Sequence, residues 1–599
     1  VSASSQKRSE EFLKISGQFK LGALVTESSH PVTANLSDVA KTDIAGALRL
    51  LFEADGDVVK KFREFVGFGK AEKIKETILS SLKNGGRIFF TGCGSTGRLS
   101  ILLDSVWRDF WQRHAPAKGT TDWENRTFSV MAGGDYALIK AVEGFEDFTA
   151  FGKKQIADLG VSAKDVVFAI TEGGETSFVI GTAWASVDAG AKVYFVYNNP
   201  DDILCEHVQR SREVIQDSRI KKINLTTGPM SITGSTRMQA TSIQLCVMLT
   251  ILEMVVRELV LGKAASPALP SQFLDALEQL HANLKSPQVL IQLAELVALE
   301  ESVYRSGHKN NYFADSFGID ILTDTTERSP TYCTPPFRKF DDTTASESWA
   351  FLFLPQQETP QAWQSILKRA PRCVEWMEGD VRALMSDDKL SRTMETIRKI
   401  SRAELMRFKI GLDGLSARSL KAGDSTIGVA SEKEKDPFQS SNGFFQIQLE
   451  AARKAGAKTG MIYFGTSAVG GSFVVDKTVS IPLPQTDFLL DGIARVAVKL
   501  VMNALSTCTM VRLGRVMGNT MIWVVPSNLK LIDRATRYIS KLTGLDYVSA
   551  NQLLFEVIEY VEPRMKSDQA YPPVVGVAVL HAKENLTSEE AERKLNSLL

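Results

Sequence analysis

The chain has 599 residues, more than one hydrophobic core organises, so two or three domains are expected. Its 70 lysines and arginines equal its 70 aspartates and glutamates, and a formal net charge of zero excludes the basic excess of a nucleic-acid binder. Six cysteines, Cys93, Cys205, Cys246, Cys333, Cys373 and Cys508, and six histidines lie scattered without paired spacing, which excludes a disulfide scaffold and a metal site; no cofactor is expected.

The opening Val1-Ser2-Ala3-Ser4-Ser5-Gln6-Lys7-Arg8 lacks the apolar core of a signal peptide, and no apolar run reaches the length of a membrane span, so a cytoplasmic chain with no membrane partner is expected. Residues 1–55 read as an N-terminal arm. From 56 to 265, short apolar runs alternate with helical ones, which specifies a parallel sheet with helices on both faces. The expected strands are Arg87–Thr91, Thr127–Met131, Val166–Ile170, Lys192–Tyr197 and Lys222–Leu225.

The first strand ends in Gly92-Cys93-Gly94-Ser95-Thr96-Gly97-Arg98-Leu99, which opens a helix. Glycines let the backbone approach an anion, hydroxyls donate to its oxygens, and a helix N-terminus adds a favourable partial charge, so this loop is a candidate phosphate cradle. Its spacing also fits the dinucleotide pattern GxGxxG, but no acidic residue follows at the distance that holds a ribose, Asp135 coming much later. Nor does a lysine and hydroxyl follow the glycines, as a nucleoside triphosphate loop requires. Ser95 and Thr96 alone would read equally well as helix caps, and Cys93 as a small buried filler.

Two further loops favour the ligand reading. Thr171-Glu172-Gly173-Gly174-Glu175-Thr176 follows the third strand and precedes a helix from Ser177; Gly234-Ser235-Thr236-Arg237-Met238 precedes an apolar helix from Gln239 to Leu259 and adds a fixed cation. Three hydroxyl-rich helix entrances beyond the carboxyl ends of strands suit a sugar phosphate.

A helical connector, 266–300, is flanked by Pro267, Pro270 and Pro287. A second module, 301–485, repeats the first in outline: Ser302–Gly307 leads into His308-Lys309-Asn310-Asn311, and Trp349–Leu354 into Gln357-Glu358-Thr359, so that Glu358-Thr359 mirror Glu175-Thr176. The cradle is missing, which marks this copy as degenerate and mainly architectural; His308 and Lys309 read as a solvated loop, with a different ligand there as the alternative, and Arg328, Arg338 and Lys339 carry the same two readings, solvated surface or ligand contact. Residues 486–599 read as a helical cap or lid, with a long helix over Asp487–Val516 carrying Arg515, and two more helices meeting at Gly544-Leu545.

Gly92 to Leu99, Ala132-Gly133-Gly134-Asp135, Ala141-Val142-Glu143-Gly144-Phe145-Glu146-Asp147 and Thr233 to Met238 resemble the sugar isomerase (SIS) domain of the N-acetylmuramic acid 6-phosphate etherases. The resemblance begins at Thr26-Glu27-Ser28-Ser29-His30-Pro31 and resumes at Asn503-Ala504-Leu505-Ser506-Thr507 and Gly514-Arg515-Val516-Met517-Gly518-Asn519. The long intervening segment makes the chain similar to the glucokinase regulatory proteins, two-module relatives of the etherases. The fold implied is α/β: two tandem SIS domains, each a flavodoxin-like parallel sheet with helices on both faces, plus a C-terminal helical cap.

The resemblance further implies a ligand set of Gly94, Ser95, Thr96, Glu146, Thr171, Thr176, Ser235, Thr236, Arg237 and Arg515, with the two arginines closing over the anion. Etherases eliminate lactate with two glutamates as acid and base. Glu146 matches one of them; at the other position, on the helix after the cradle, this chain has Val106, and Asp104 lies on a different helical face. Gly173 stands where the family's loop often has serine. The expectation is therefore a regulatory protein that binds a phosphorylated sugar without turnover, with a sugar kinase as the partner class such a regulator would serve. The alternative is a carbon–oxygen lyase acting on N-acetylmuramic acid 6-phosphate through Glu146, and a hexose phosphate or that compound is the ligand expected.

Overall fold

In the computed structural model, which describes residues 2–16, 21–114, 122–140, 142, 144–434, 443–466, 474–526, 529–566 and 572–598, the apolar runs become two five-stranded parallel sheets. The first comprises β1 (Ile88–Gly92), β2 (Thr127–Met131), β3 (Val166–Ile170), β4 (Lys192–Tyr197) and β5 (Ile220–Asn224), in the order β2-β1-β3-β4-β5. All residues of β1 and β3 are buried, as strands covered by helices on both faces must be. β2, β3 and β4 fall on the expected residues; β5 begins two residues early, because Ile220 pairs with Val193 and continues the apolar alternation.

The second sheet comprises β6 (Asn310–Ala314), β7 (Ala350–Phe353), β8 (Ser425–Ser431), β9 (Lys458–Gly465) and β10 (Lys477–Pro482). Its order, β7-β6-β8-β9-β10, repeats the first strand for strand. The correspondence corrects the internal alignment expected from sequence. Ser302–Arg305 belongs to the helix Pro287–Arg305, where Val303 and Tyr304 extend a buried face until Gly307 turns away at φ +73. His308 and Lys309 therefore precede β6, at the end of the sheet away from its carboxyl-terminal crevice, and His308 Nδ1 sits 3.1 Å from Asp424 Oδ1. β7 pairs only with β6 and so matches β2, which places the counterpart of the Thr171–Thr176 loop after β8, not at Glu358-Thr359. Arg328 is also corrected: it is buried and bonded to Asp324 and Tyr312 rather than solvated.

The modules meet along the helix Gly94–Arg113. Arg369 of the second module donates to Asp104 at 3.0 Å and to Asp135 at 2.6 Å, and Ser105 Oγ donates to the Ile366 carbonyl. The helix Gly492–Arg512 is the one among the described residues long and apolar enough to cross a membrane, yet 89% of its apolar window is buried, packed against helices of both modules. It ends three residues before Arg515. Helices Leu529–Thr543, Tyr547–Lys566, Val574–Glu584 and Ser588–Leu598 form the C-terminal helical region.

Candidate active site

β1 reaches the cradle through Gly92, where a Cβ would stand 2.3 Å from the Thr96 carbonyl carbon; glycine alone lets the helix's first turn fold back on the strand. Gly94 turns at φ +54, and the side on which a Cβ would project is open. Ser95 is half-buried and lines a cavity with Thr241, Glu327, Lys499 and Asn503. Thr96 is different. Its buried hydroxyl accepts the Cys93 N–H and donates to the Cys93 carbonyl, each at 3.0 Å, so it caps the helix and is not a phosphate donor.

β3 lies beside β1, so the second loop opens next to the first. Thr171 is buried, accepts the Gly174 N–H at 3.3 Å and lies 3.1 Å from the Thr176 hydroxyl. It shapes the turn, and Thr176 is the half-buried hydroxyl of the pair. In the third loop Gly234 turns at φ +71, and a Cβ there would meet the Tyr538 hydroxyl at 2.5 Å, Glu27 at 3.0 Å and Arg534 at 3.2 Å. The helix Leu529–Thr543 thus covers this loop. Ser235 is buried and Thr236 half-buried beneath it.

Neither arginine closes over the cradle. Arg237 is buried, with Nη2 donating to Asp324 at 2.7 Å, Ser506 at 2.8 Å and Asn503 at 3.0 Å, so it ties the third loop to the second module and the central helix. Arg515 lies past the end of that helix, not on it; it donates to the Tyr332 carbonyl and lies 3.5 Å from the Trp523 ring centroid, with burial pushing its guanidinium down to about 10. Both are corrections, with one cause. A guanidinium is held most firmly where several acceptors or an aromatic face surround it, and sequence spacing does not show where those are.

Most of the carboxylates that gather here come from the motif loops, and the cations from helices distant in the chain. Glu146, from the loop after β2, is half-buried and its carboxylate meets the Cys93 thiol. Burial, then Glu146 and Glu172, push that thiol well above its ordinary value. Glu172 is 8% exposed; burial pushes its carboxyl up to about 7, Glu175 and Glu327 adding to the effect while Lys530 opposes it. Lys530 opens the covering helix and pairs with Glu175 of the second loop. Arg534 and Arg537 of the same helix grip Glu27, holding its carboxyl at about 2 although burial pushes the other way. Of these, Glu27, Glu146, Glu172 and Glu175 stand inside motifs visible in the sequence. Lys499, Lys530 and Glu327 arrive from distant helices with no local signal.

Residues 70–186 match the family model described as the glucokinase regulatory protein N-terminal SIS domain. The chain is 32% identical over 222 residues to the N-acetylmuramic acid 6-phosphate etherase of Francisella tularensis subsp. holarctica, covering 37% of this chain and 66% of that protein. It is 32% identical over 237 residues to the Clostridioides difficile enzyme of the same name, covering 39% and 69%. The chain thus spans about two thirds of the length of these curated relatives. The tagatose-6-phosphate ketose/aldose isomerase of Escherichia coli aligns at 9% identity over 80% of this chain and 94% of that one, with a TM-score of 0.40. The relatives correct the expectation of a regulator without turnover, since those matched at 30–32% identity, in Francisella, Clostridioides and Yersinia, are etherases by name. The sugar-kinase partner rested on that reading alone. With the two repeated sheets, the cradle at β1 and this similarity together, the chain belongs to the N-acetylmuramic acid 6-phosphate etherase family, as a member with two tandem SIS domains.

Proposed function

We propose that the chain is a carbon–oxygen lyase that releases lactate from N-acetylmuramic acid 6-phosphate. The observation that carries the reading is the placement of two carboxylates in different surroundings on one thiol of the cradle: Glu146, half-buried, and Glu172, buried with its carboxyl at about 7. Elimination needs one carboxylate to take a proton from the sugar carbon beside the ether-bearing carbon. It needs a second, still protonated, to hand a proton to the departing lactate oxygen as the carbon–oxygen bond breaks and the carbon–carbon double bond forms. Glu146 suits the base and Glu172 the acid.

Val106, where the family's second glutamate is expected, is 3% exposed in the helix core, so Glu172 supplies from the neighbouring loop what that helix position lacks. The phosphate takes the backbone N–H groups that open the helix Gly94–Arg113 and the hydroxyls of Ser95, Thr176 and Thr236, with Lys499 and Lys530 offsetting its charge. A phosphorylated sugar is thus the ligand class.

The test is lactate release from N-acetylmuramic acid 6-phosphate by the purified full chain. Turnover that falls by about 10² or more in both Glu146→Gln and Glu172→Gln is the expected result. An inert wild-type chain that nonetheless binds the substrate would sink the lyase reading.

A further inference from the structure

Glu146 stands between the short helical turn Asp135–Leu138 and the helix Thr149–Ala157, and lies on neither. Gly144, two residues earlier, turns at φ +91, and nothing lies within 4 Å of where its Cβ would stand. A residue in such a loop takes its position from what packs on its neighbours.

The neighbour that packs is Phe145. It is 1% exposed, and its ring lies 4.7 Å from that of Phe151 and 5.8 Å from that of Trp376, stacked on the latter at 24°. Phe151 meets the same indole edge-on at 5.5 Å. Trp376 belongs to the second module, between the helices Thr359–Leu367 and Glu378–Arg382. The indole is itself fixed: Nε1 donates to Asp158 at 2.8 Å, and Lys154, 5.5 Å from the ring, pairs with both Asp158 and Asp380 at 2.9 and 3.2 Å.

The first module's own sequence admits this segment. Cys373 bridges Gly134 in antiparallel fashion, the Asp135 N–H donates to the Arg372 carbonyl at 3.0 Å, and the Arg372 N–H donates to the Asp135 carboxylate at 2.6 Å. Gly134 sits at φ +70, and a Cβ there would stand 2.9 Å from the Arg372 carbonyl oxygen and 3.0 Å from the Val374 nitrogen. Glycine at this point of the Ala132–Asp135 motif is what lets the second module's backbone in. On its other side Glu146 is tied by its carbonyl, which accepts the Phe178 N–H of the helix Ser177–Asp188 at 3.0 Å.

We infer that Trp376 is a positioning residue for Glu146, so that the second module, which has no cradle of its own, supplies the surface that sets a carboxylate of the first. Its catalytic consequence rests on the reading of Glu146 as the base; the placement rests on the aromatic packing alone. A reacting group displaced by about 1 Å loses about 10² in rate, whereas the phosphate contacts do not pass through this cluster.

Steady-state lactate release by full-length Trp376→Ala and Trp376→Phe chains tests the consequence. Trp376→Ala should lower kcat about tenfold or more and change KM less than about threefold; Trp376→Phe, which keeps a ring against Phe145, should recover most of the rate. On top of Glu146→Gln, Trp376→Ala should cost nothing further, because the group it positions is gone. The placement is read separately, from alkylation of Cys93 by iodoacetamide at about pH 8.5, followed by mass spectrometry. The Glu146 carboxylate opposes ionisation of that thiol, so Glu146→Gln and Trp376→Ala should each speed the reaction about threefold or more, and their combination no further. Cys246, 0% exposed, should stay unmodified throughout. If Trp376→Ala lacks native circular dichroism, Phe145→Leu, which removes the other face of the stack, takes its place in both assays. A kcat within about twofold of wild type, a loss confined to KM, or a full additional loss on top of Glu146→Gln would overturn the proposal, as would alkylation that is unchanged or additive. If the wild-type chain releases no lactate, the lyase reading fails on its own, and the alkylation pattern alone decides whether Trp376 sets Glu146.

Discussion

Arg237 Nη2 lies 2.7 Å from Asp324 Oδ1, and both side chains are buried where the third loop of the first module meets the helix Gly318–Tyr332 of the second. The pair is also bonded to Ser506 on the central helix, so three parts of the chain share one charged knot. Removing one partner leaves the other charge in a dry environment. Arg237→Ala is expected to cost about 3–5 kcal/mol in urea unfolding, whereas Arg237→Lys, which keeps a positive charge beside Asp324 and Glu327, is expected to recover part of it. A loss below about 1 kcal/mol in Arg237→Ala would mean that water reaches the pair.

The cradle hydroxyls separate by role. Ser95→Ala removes a hydroxyl that faces the cavity and is expected to weaken phosphosugar binding about tenfold with little change in thermal stability. Thr96→Val removes a helix cap and is expected to do the reverse, lowering stability by about 1 kcal/mol through loss of the Cys93 N–H bond. Titration calorimetry and thermal unfolding on the same two proteins check both halves. If Thr96→Val abolished binding while leaving stability intact, the assignment of the two hydroxyls would be inverted.

If Glu172 is the acid, the rate carries its titration. Burial sets its carboxyl at about 7, so the protonated form that the step requires is lost as pH rises through neutrality, and kcat should fall on the alkaline side of about pH 7. Glu172→Gln keeps the shape and removes the proton transfer. Its residual rate should lack that alkaline limb, whereas Glu146→Gln should lose activity at every pH. A limb near pH 7 that persists in Glu172→Gln would assign it to another group.

The legible parts of this molecule were those whose cause is local. β2, β3 and β4 could be placed from short apolar runs bounded by turn residues, and the cradle from glycines whose need is steric, as Gly92 shows against Thr96. The register of the second module was misread because β6, Asn310–Ala314, begins with two asparagines. Asn310 is buried against Glu300, and polar residues satisfied by buried partners give no apolar signal. The site suffered in the same way. Ser95 and Glu146 lie on motifs, but Lys499 lines the cavity and Lys530 meets Glu175 from helices more than 300 residues later in the chain, and only tertiary packing brings them there. Arg237 and Arg515 show the converse, motif residues whose charge the fold directs elsewhere.

Asp55 offers a test of the packing beneath the site that is independent of any ligand. It precedes the helix Gly56–Gly67, is 8% exposed and accepts a bond from Gln239 Nε2 at 2.8 Å. Burial, with a smaller push from Asp57, raises its carboxyl from 3.8 to about 7 against the opposing Gln239 bond and Lys499. In the unfolded chain the same carboxyl ionises near its ordinary value, so between those two pH values the folded state alone keeps the proton. The stability it contributes is complete below about pH 4 and is lost as pH rises through about 7, a change of up to about 4 kcal/mol. Asn at this position can present its carbonyl to Gln239 and never ionises. Asp55→Asn is therefore expected to leave unfolding free energy near the wild-type value at pH 4, where other carboxylates titrate equally in both proteins, and to exceed it by a margin that grows from about pH 4 to about pH 7 and is constant above. Parallel stability curves for the two chains across that range would show that Asp55 is solvated in the folded state, and that the floor of the site is looser than its burial implies.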